Sequence, residues 1–306
     1  MPSASVILRN AGSRFFIIQP PSQLSRLDCH TVKPKTIVIT GASDGIGAAA
    51  ARQLAADGHR LVLVGRTAAK LEAVANETDA DAAIVADFAH LDEVRRTASE
   101  ILKLCPAIDV LANNAGLIAG SQRVITDDGH ELTSQVNYLA PFLIEHLLTD
   151  RLVASRTTVI ETASMAHWFG DVQPDDLDHQ RRYLSFMVYG TSKLALLLHT
   201  RQLQRRLGRK GVVAVAFHPG VVATNFGHGT GGLIDRVYGS AAKVVLTTPE
   251  QGADSLVFLA EATPGVDFRP GSYIIRRRPA LTRPCVNDYR LAAQLWDATE
   301  QTLGLA

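Results

Sequence analysis

Residues 35–47 read Lys-Thr-Ile-Val-Ile-Thr-Gly-Ala-Ser-Asp-Gly-Ile-Gly. The first six form a short, mostly apolar run after Pro34, which predicts a buried strand over Lys35–Thr40. Gly41, Gly45 and Gly47 follow with the spacing G-x-x-x-G-x-G, and an alanine-rich stretch predicts a helix through Asp57. Strand, glycine loop, helix is the context in which glycines let the backbone approach a pyrophosphate, while the helix N-terminus offers free N–H groups. The loop, with Ser43, Asp44 and Ile46 between and beside its glycines, is therefore a candidate phosphate cradle.

The same alternation continues outward from this unit. Gly58 suits a helix end, Leu61–Val64 a second strand stopping at Gly65-Arg66, and Ala69–Glu77 a helix. A third strand, Ala82–Ala86, leads to Asp87 and Phe88. Helix Leu91–Leu104 and a fourth strand, Ile108–Ala112, then deliver Asn113-Asn114-Ala115-Gly116. A long helix over Asp127–Thr149 would carry Asn137 in its interior, and a fifth strand, Thr158–Ile160, places Ser164 just past its end. Residues 165–187 are polar and irregular, longer than an ordinary connection. The helix after them runs to about Leu207. Strand Val212–Phe217 ends in His218-Pro219-Gly220, and the glycine-rich residues 224–247 read as a mobile lid. Helix Pro249–Ala260, strand Ser272–Ile275 and helix Asp288–Leu303 complete the chain. Apolar strands alternating with helices predict an α/β fold: one doubly wound, parallel, seven-stranded sheet with helices on both faces. No repeat or linker interrupts residues 35–306, which read as one domain.

The chain has 306 residues, 46% hydrophobic and 20% charged, with a formal net charge of +1. This is a globular composition with no basic field for nucleic acid. Arg276-Arg277-Arg278 and Arg205-Arg206 read as solvated faces. Cys29, Cys105 and Cys285 are scattered, with neither metal spacing nor a disulfide framework. No apolar run approaches the ~18 residues of a membrane span, so a soluble, cytoplasmic protein is expected. Residues 1–27 lack acids and contain Arg9, Arg14 and Arg26. They resemble a mitochondrial transit peptide, although residues 1–34 read more simply as a disordered extension.

Chemistry concentrates in Tyr189-Gly190-Thr191-Ser192-Lys193. Residues four apart on a helix share a face, and an ammonium near a phenol favours the phenolate. Such a phenol can give a proton to a carbonyl or take one from an alcohol. A second signal lies at the end of strand two. A parallel sheet presents that point to an adenosine ribose, and an acid there would repel a 2′-phosphate. Here it holds Gly65, which leaves room, and Arg66, which can pair with phosphate. NADP(H) is therefore expected over NAD(H), with the nearby acid Asp44 turned away.

Taken in order, Thr40 to Gly47, Asn113 to Gly116, Ser164, Tyr189 to Lys193 and Pro219-Gly220 resemble the short-chain dehydrogenase/reductase family over residues 35–306. Met165-Ala166-His167, residues 189–195, residues 218–224 and the stretch from Leu295-Trp296 to Gly304-Leu305 are similar to its retinol-dehydrogenase-like branch. The resemblance implies a Rossmann-type oxidoreductase moving a hydride between a nicotinamide cofactor and a lipophilic alcohol, aldehyde or ketone. It implies Tyr189 as general acid or base, with Lys193 holding the nicotinamide ribose and lowering the Tyr189 pKa. Ser164 would steady the substrate oxygen, and Asn137 a water leading from Lys193 to solvent. Asp87 would meet the adenine, with Phe88 beside it. Asn113 would pack on the adenosine ribose next to Ala115 and Gly116, while Pro219, Gly220, Val222 and Thr224 would border the nicotinamide. Leu196, where the family often has asparagine, departs from the pattern and bears on whether the substrate is retinol itself. Two other readings share parts of this pattern: a silent nucleotide-binding sensor, and an epimerase acting on nucleotide sugars. Intact Ser164, Tyr189 and Lys193 argue against the first, and the short chain after Ser272 against the second.

Overall fold

The computed structural model describes residues 33–220 and 247–306. Val222, Thr224 and all of the expected lid except Thr247 lie outside these residues, as does the expected extension up to residue 32.

Strand β1 (Thr36–Thr40) leads through the glycine loop into helix α1 (Gly45–Ala56). Asp44 caps α1, its Oδ1 accepting from the Gly45 amide at 2.8 Å. The helix stops where Gly58 takes φ +84°, a conformation open to glycine. Next come β2 (Arg60–Gly65), α2 (Ala68–Thr78), β3 (Ala82–Val85), α3 (Leu91–Leu104) and β4 (Val110–Asn113). After one short turn, Leu132–Ser134, and a π-helical turn, Gln135–Leu139, helix α4 spans Ala140–Ser155. Then follow β5 (Thr158–Thr162), a 3-10 turn (Met165–Phe169), α5 (Ser185–Leu207) and β6 (Val213–His218). Helix α6 (Pro249–Glu261), β7 (Tyr273–Ile275), β8 (Arg278–Pro279) and α7 (Tyr289–Thr302) complete the described elements.

The sheet order is β3-β2-β1-β4-β5-β6-β7-β8. Every pairing is parallel except that of β7 with β8. Side chains alternate across it, as the strand repeat requires. Ile37, Ile39, Leu61 and Leu63 pack under α1, α2 and α6. Val38, Val62 and Val64 face the other way, into the core made with α3, α4, α5 and α7. Strand order reverses between β1 and β4, so the carboxyl ends of these two strands border the crevice where open α/β sheets take ligands.

Two expectations need correction. Among the described residues the sheet has eight strands, one more than the seven expected. Ile275 pairs with Arg278 across a two-residue hairpin whose central residues, Arg276 and Arg277, have φ of +50° and +60°. Such turns favour asparagine and glycine, so an Arg-Arg pair gives no turn signal. Arg277 is fixed from outside, by an ion pair with Asp254 and by lying over the Phe258 ring at 5.5 Å. The helix expected over Asp127–Thr149 begins later, at Leu132, and runs on to Ser155. Thr126, Asp127, Asp128 and Gly129 instead form a turn closed by the Ile125–Glu131 bridge, with Gly129 at φ +88°. Aspartate-glycine chemistry prevails there over helical continuation.

Candidate active site

The ends of β1 to β6, with helices α1 and α5, bring the sequence-predicted residues to one edge of the sheet. At the centre stands α5. Its Lys193 ammonium is buried and lies 5.7 Å from the centroid of the Tyr189 ring, as the four-residue spacing requires. The ammonium donates to the Thr162 carbonyl at the end of β5, at 2.8 Å. Burial pulls the Lys193 pKa down to about 8, opposed by the Glu161 carboxyl.

Gly116, from the loop after β4, comes to the same point. A Cβ built on it would lie 3.2 Å from Asn137 Oδ1 and 3.5 Å from Lys193 Nζ. Asn137 itself sits in the π-helical turn. Its Oδ1 accepts from the Leu117 amide at 2.8 Å, and its Nδ2 donates to the Leu117 carbonyl and to Ser192 Oγ. The extra residue of the π turn aims this amide across the site, tying the loop after β4 to α5.

Ser164 caps the 3-10 turn, its Oγ accepting from the Ala166 amide at 3.2 Å. That turn lies directly against α5. A Cβ on Gly190 would fall 2.6 Å from the Ala166 carbonyl oxygen, and one on Gly170 would fall 2.4 Å from the Gly190 carbonyl oxygen. Glycine beside Tyr189 thus lets the Ser164 segment approach the helix backbone to backbone. Behind it, His167 is fully buried with Nδ1 2.7 Å from the Ser164 carbonyl, and its ring stands edge-on to Tyr273 at 5.3 Å. Burial holds His167 below the ordinary histidine range and His218 down at about 4, so both are neutral packing residues at pH 7.

The other half of the site lies over β1 and β2. Gly41, at φ +66°, has room for no Cβ: one would meet the Ala115 backbone at 2.8 Å. Thr40 Oγ1 accepts from the Asn114 and Ala115 amides, and Asn114 Nδ2 donates to the Thr40 carbonyl. These contacts fasten the two loops that flank the crevice. A Cβ on Gly47 would lie 2.3 Å from the Gly41 carbonyl oxygen, and one on Gly65 2.6 Å from Ser43 Oγ. Glycine loop, α1 N-terminus with Ile46, and the end of β2 therefore form one continuous cradle, which fits a dinucleotide. Asp44 Oδ2 accepts from Lys70 Nζ at 2.6 Å, and Arg66 is exposed. At the end of β3, Asp87 Oδ1 accepts from the Ala89 amide, and Phe88 is buried in the core. Pro219 and Gly220 end β6, with Gly220 at φ +91° beside Thr247.

Asn113 is brought to the crevice, but its side chain turns inward and donates to Glu145 and Glu161 at 2.6 and 2.8 Å. Lys70, four residues after Arg66 at the start of α2, carries no motif that marks it in the sequence. The buried trio Glu145, Glu161 and His199 gave only a faint signal, charged residues inside otherwise apolar runs.

This arrangement is that of a known family. A family profile described as short chain dehydrogenase matches residues 35–231. Over 276 residues the chain is 41% identical to a protein of Streptomyces sp. (strain C5) provisionally named a daunorubicin C-13 ketoreductase, covering 88% of this chain and 93% of that one. It is 34% identical over 292 residues to human retinol dehydrogenase 13, covering 90% and 86%. Among solved structures it resembles a Caenorhabditis elegans short-chain dehydrogenase/reductase of unknown function determined with cofactor, at TM-score 0.65 and 25% identity, over 80% and 94% of the two chains. The chain belongs to the short-chain dehydrogenase/reductase family and is an oxidoreductase of its retinol-dehydrogenase-like branch, working with a nicotinamide cofactor. No helix among the described residues is long and apolar enough to cross a membrane.

Proposed function

We propose that this chain is an NADP(H)-dependent dehydrogenase or carbonyl reductase of lipophilic alcohols, aldehydes and ketones, with Tyr189 as its general acid and base. The observation that carries the reading is the buried Lys193 ammonium beside the Tyr189 ring. The nicotinamide supplies or accepts the hydride. Tyr189 protonates the substrate oxygen in reduction and deprotonates the alcohol in oxidation, and the Lys193 charge stabilises the phenolate left behind. Ser164 Oγ, held at the mouth of β5 by its own turn, donates to the substrate oxygen and steadies its developing charge. Asn137 orders a water between Lys193 and solvent.

The lipophilic substrate is inferred from the rim of the site. Met165, Trp168, Phe169, Leu184 and Phe186 are exposed, and the Phe169 and Phe186 rings are 5.3 Å apart. Such an apolar surface beside catalytic residues favours an apolar ligand. The relatives' names, a ketoreductase and a retinol dehydrogenase, agree with carbonyl and alcohol substrates. NADP(H) is favoured because the end of β2 offers Arg66, and because Asp44 is neutralised by Lys70 instead of facing the ribose. Residues 35–306 would act as one catalytic domain behind an N-terminal extension, in the cytoplasm, or in mitochondria if that extension is a transit peptide.

A screen of alcohols, aldehydes and ketones with each cofactor, read by nicotinamide absorbance, tests this. Turnover with NADP(H) should prevail, and kcat/KM should rise with alkyl length until the pocket is filled, as burial of ~25 cal/mol per Å² requires. A preference for small, charged or sugar substrates would contradict it.

A further inference from the structure

Beneath the site, away from the cofactor crevice, three ionisable side chains meet in the core. Glu145 comes from α4, Glu161 from β5 and His199 from α5, and all three are buried. One carboxylate or ring-nitrogen atom from each lies within 4.8 Å of the others. Glu145 is the hub: its Oε2 is 2.6 Å from His199 Nε2, and its Oε1 accepts from Asn113 Nδ2 at 2.6 Å. Glu161 Oε1 accepts from the same amide at 2.8 Å. Apolar and aromatic walls close the cluster. Trp296 stacks on His199 at 5.3 Å, Phe142 lies 5.2 Å from it, and the Tyr138 ring stands edge-on.

Two carboxylates in such a site cannot both stay charged. His199 Nδ1 has no partner, which a lone pair tolerates far better than a buried N–H. The histidine proton therefore sits on Nε2 and is donated to Glu145. Glu161 Oε2 has no N–H donor either, but Glu161 is in hydrogen-bonding contact with Glu145. A proton on Glu161 satisfies both acids and leaves Glu145 a carboxylate with three donors: Asn113, His199 and Glu161. The 2.6 Å separations are hydrogen-bond distances. A metal bound at ~2.0–2.2 Å would hold its ligands farther apart.

We infer that Glu145 and Glu161 share one proton and so keep a single negative charge in the core, as the counter-charge of the buried Lys193 ammonium. The two sides are linked through β5: Lys193 bonds to the carbonyl of Thr162, the residue after Glu161. Opposition to the fall of the Lys193 pKa comes from Glu161, the member of the pair next to Thr162, through the share of the negative charge it carries. Other groups facing the cluster or the lysine are Tyr189, Asn137, Tyr138 and, on the outer face of Trp296, Arg206. Tyr138 is held neutral by burial, and Arg206 lies beyond the indole. Glu145 and Glu161 touch no reacting atom. They act through Lys193 and are positioning residues, an inference that rests on the role proposed for that lysine.

The test is the titration of the Lys193 ammonium by nitrogen NMR in the cofactor-free protein, which does not depend on whether Tyr189 is the acid. Because the proton is shared, Glu161→Gln should be nearly silent: the amide donates to Glu145 as the acid did, and the charge remains. Glu145→Gln should likewise leave the charge, on Glu161. The double variant removes it and should lower the Lys193 pKa by about one unit or more, a tenfold or larger shift in its proton affinity. The alkaline limb of kcat/KM should move down in pH with it. A double variant with an unchanged Lys193 titration, or a single variant as large in effect as the double, would overturn the inference. The infrared spectrum of the wild-type protein gives a check that needs no variant to fold. A buried carboxylic acid C=O band should persist at pH 8 and vanish in Glu161→Gln, and its absence from the wild type would equally overturn the inference.

Discussion

At the residue scale, the positions of the candidate residues were legible wherever spacing and strand ends fix them. Spacing places Tyr189 one turn from Lys193, and the end of β5 places Ser164; the roles proposed for them came from chemistry and family resemblance together. Arg66 was readable likewise, from its place at the end of β2. Lys70 was not, because its partner Asp44 lies twenty-six residues away in sequence and is joined to it only by the fold. The inward turn of Asn113 was equally hidden, since it depends on acids carried by α4 and β5. The cofactor preference belongs at this scale. A charge-assisted contact from Arg66 to a 2′-phosphate contributes roughly 1.5–3 kcal/mol, or about tenfold or more in affinity. Arg66→Ala should erase most of the preference for NADP(H) while sparing NAD(H) binding, as measured by cofactor titration. Equal binding of both cofactors by the wild type would refute the assignment. Lys70→Ala should act in the same direction by a second route, because it frees the Asp44 carboxylate beside the ribose.

Elements were legible where their periodicity is unbroken. Strands β1 to β7 and helices α1 to α3 fall within a residue or two of the expected bounds. The joints between elements were less legible. Arg276-Arg277 makes a hairpin without turn residues because Asp254 and Phe258 hold Arg277 from outside. The π turn at Gln135–Leu139 has no local sequence mark; within it Asn137 reaches across to Leu117. The contact between α5 and the 3-10 turn makes an element-scale prediction. Gly190→Ala would press a methyl within 2.6 Å of the Ala166 carbonyl oxygen, a backbone atom that cannot swing aside. Overpacking of this kind costs about 1–3 kcal/mol. The melting temperature should fall by several degrees and turnover should fall with it, since Ser164 rides on the displaced turn. An unchanged melting temperature and turnover would show that the two backbones have slack the structure does not suggest.

Over the whole molecule, the buried lysine couples chemistry to stability. Its folded pKa of about 8 lies below the ordinary lysine value of 10.5. Between these values the unfolded chain binds the proton and the folded protein does not, so stability from this group rises with pH across that window. A shift of that size corresponds to roughly 3 kcal/mol. Lys193→Met should abolish this contribution, flattening the pH dependence of cofactor-free stability between about pH 8 and 10 relative to wild type; identical slopes would contradict it. Tyr189 is the residue on which the proposed mechanism depends most. Its replacement by phenylalanine removes one oxygen and keeps the ring beside Lys193, so the fold and NADP(H) binding should be retained. General acid–base catalysis supplies about 10²–10⁴-fold. The deciding measurement is single-turnover hydride transfer by Tyr189→Phe on the best substrate found, with cofactor affinity measured on the same sample. The account predicts wild-type cofactor affinity with transfer slowed at least a hundredfold; near-wild-type transfer would contradict it.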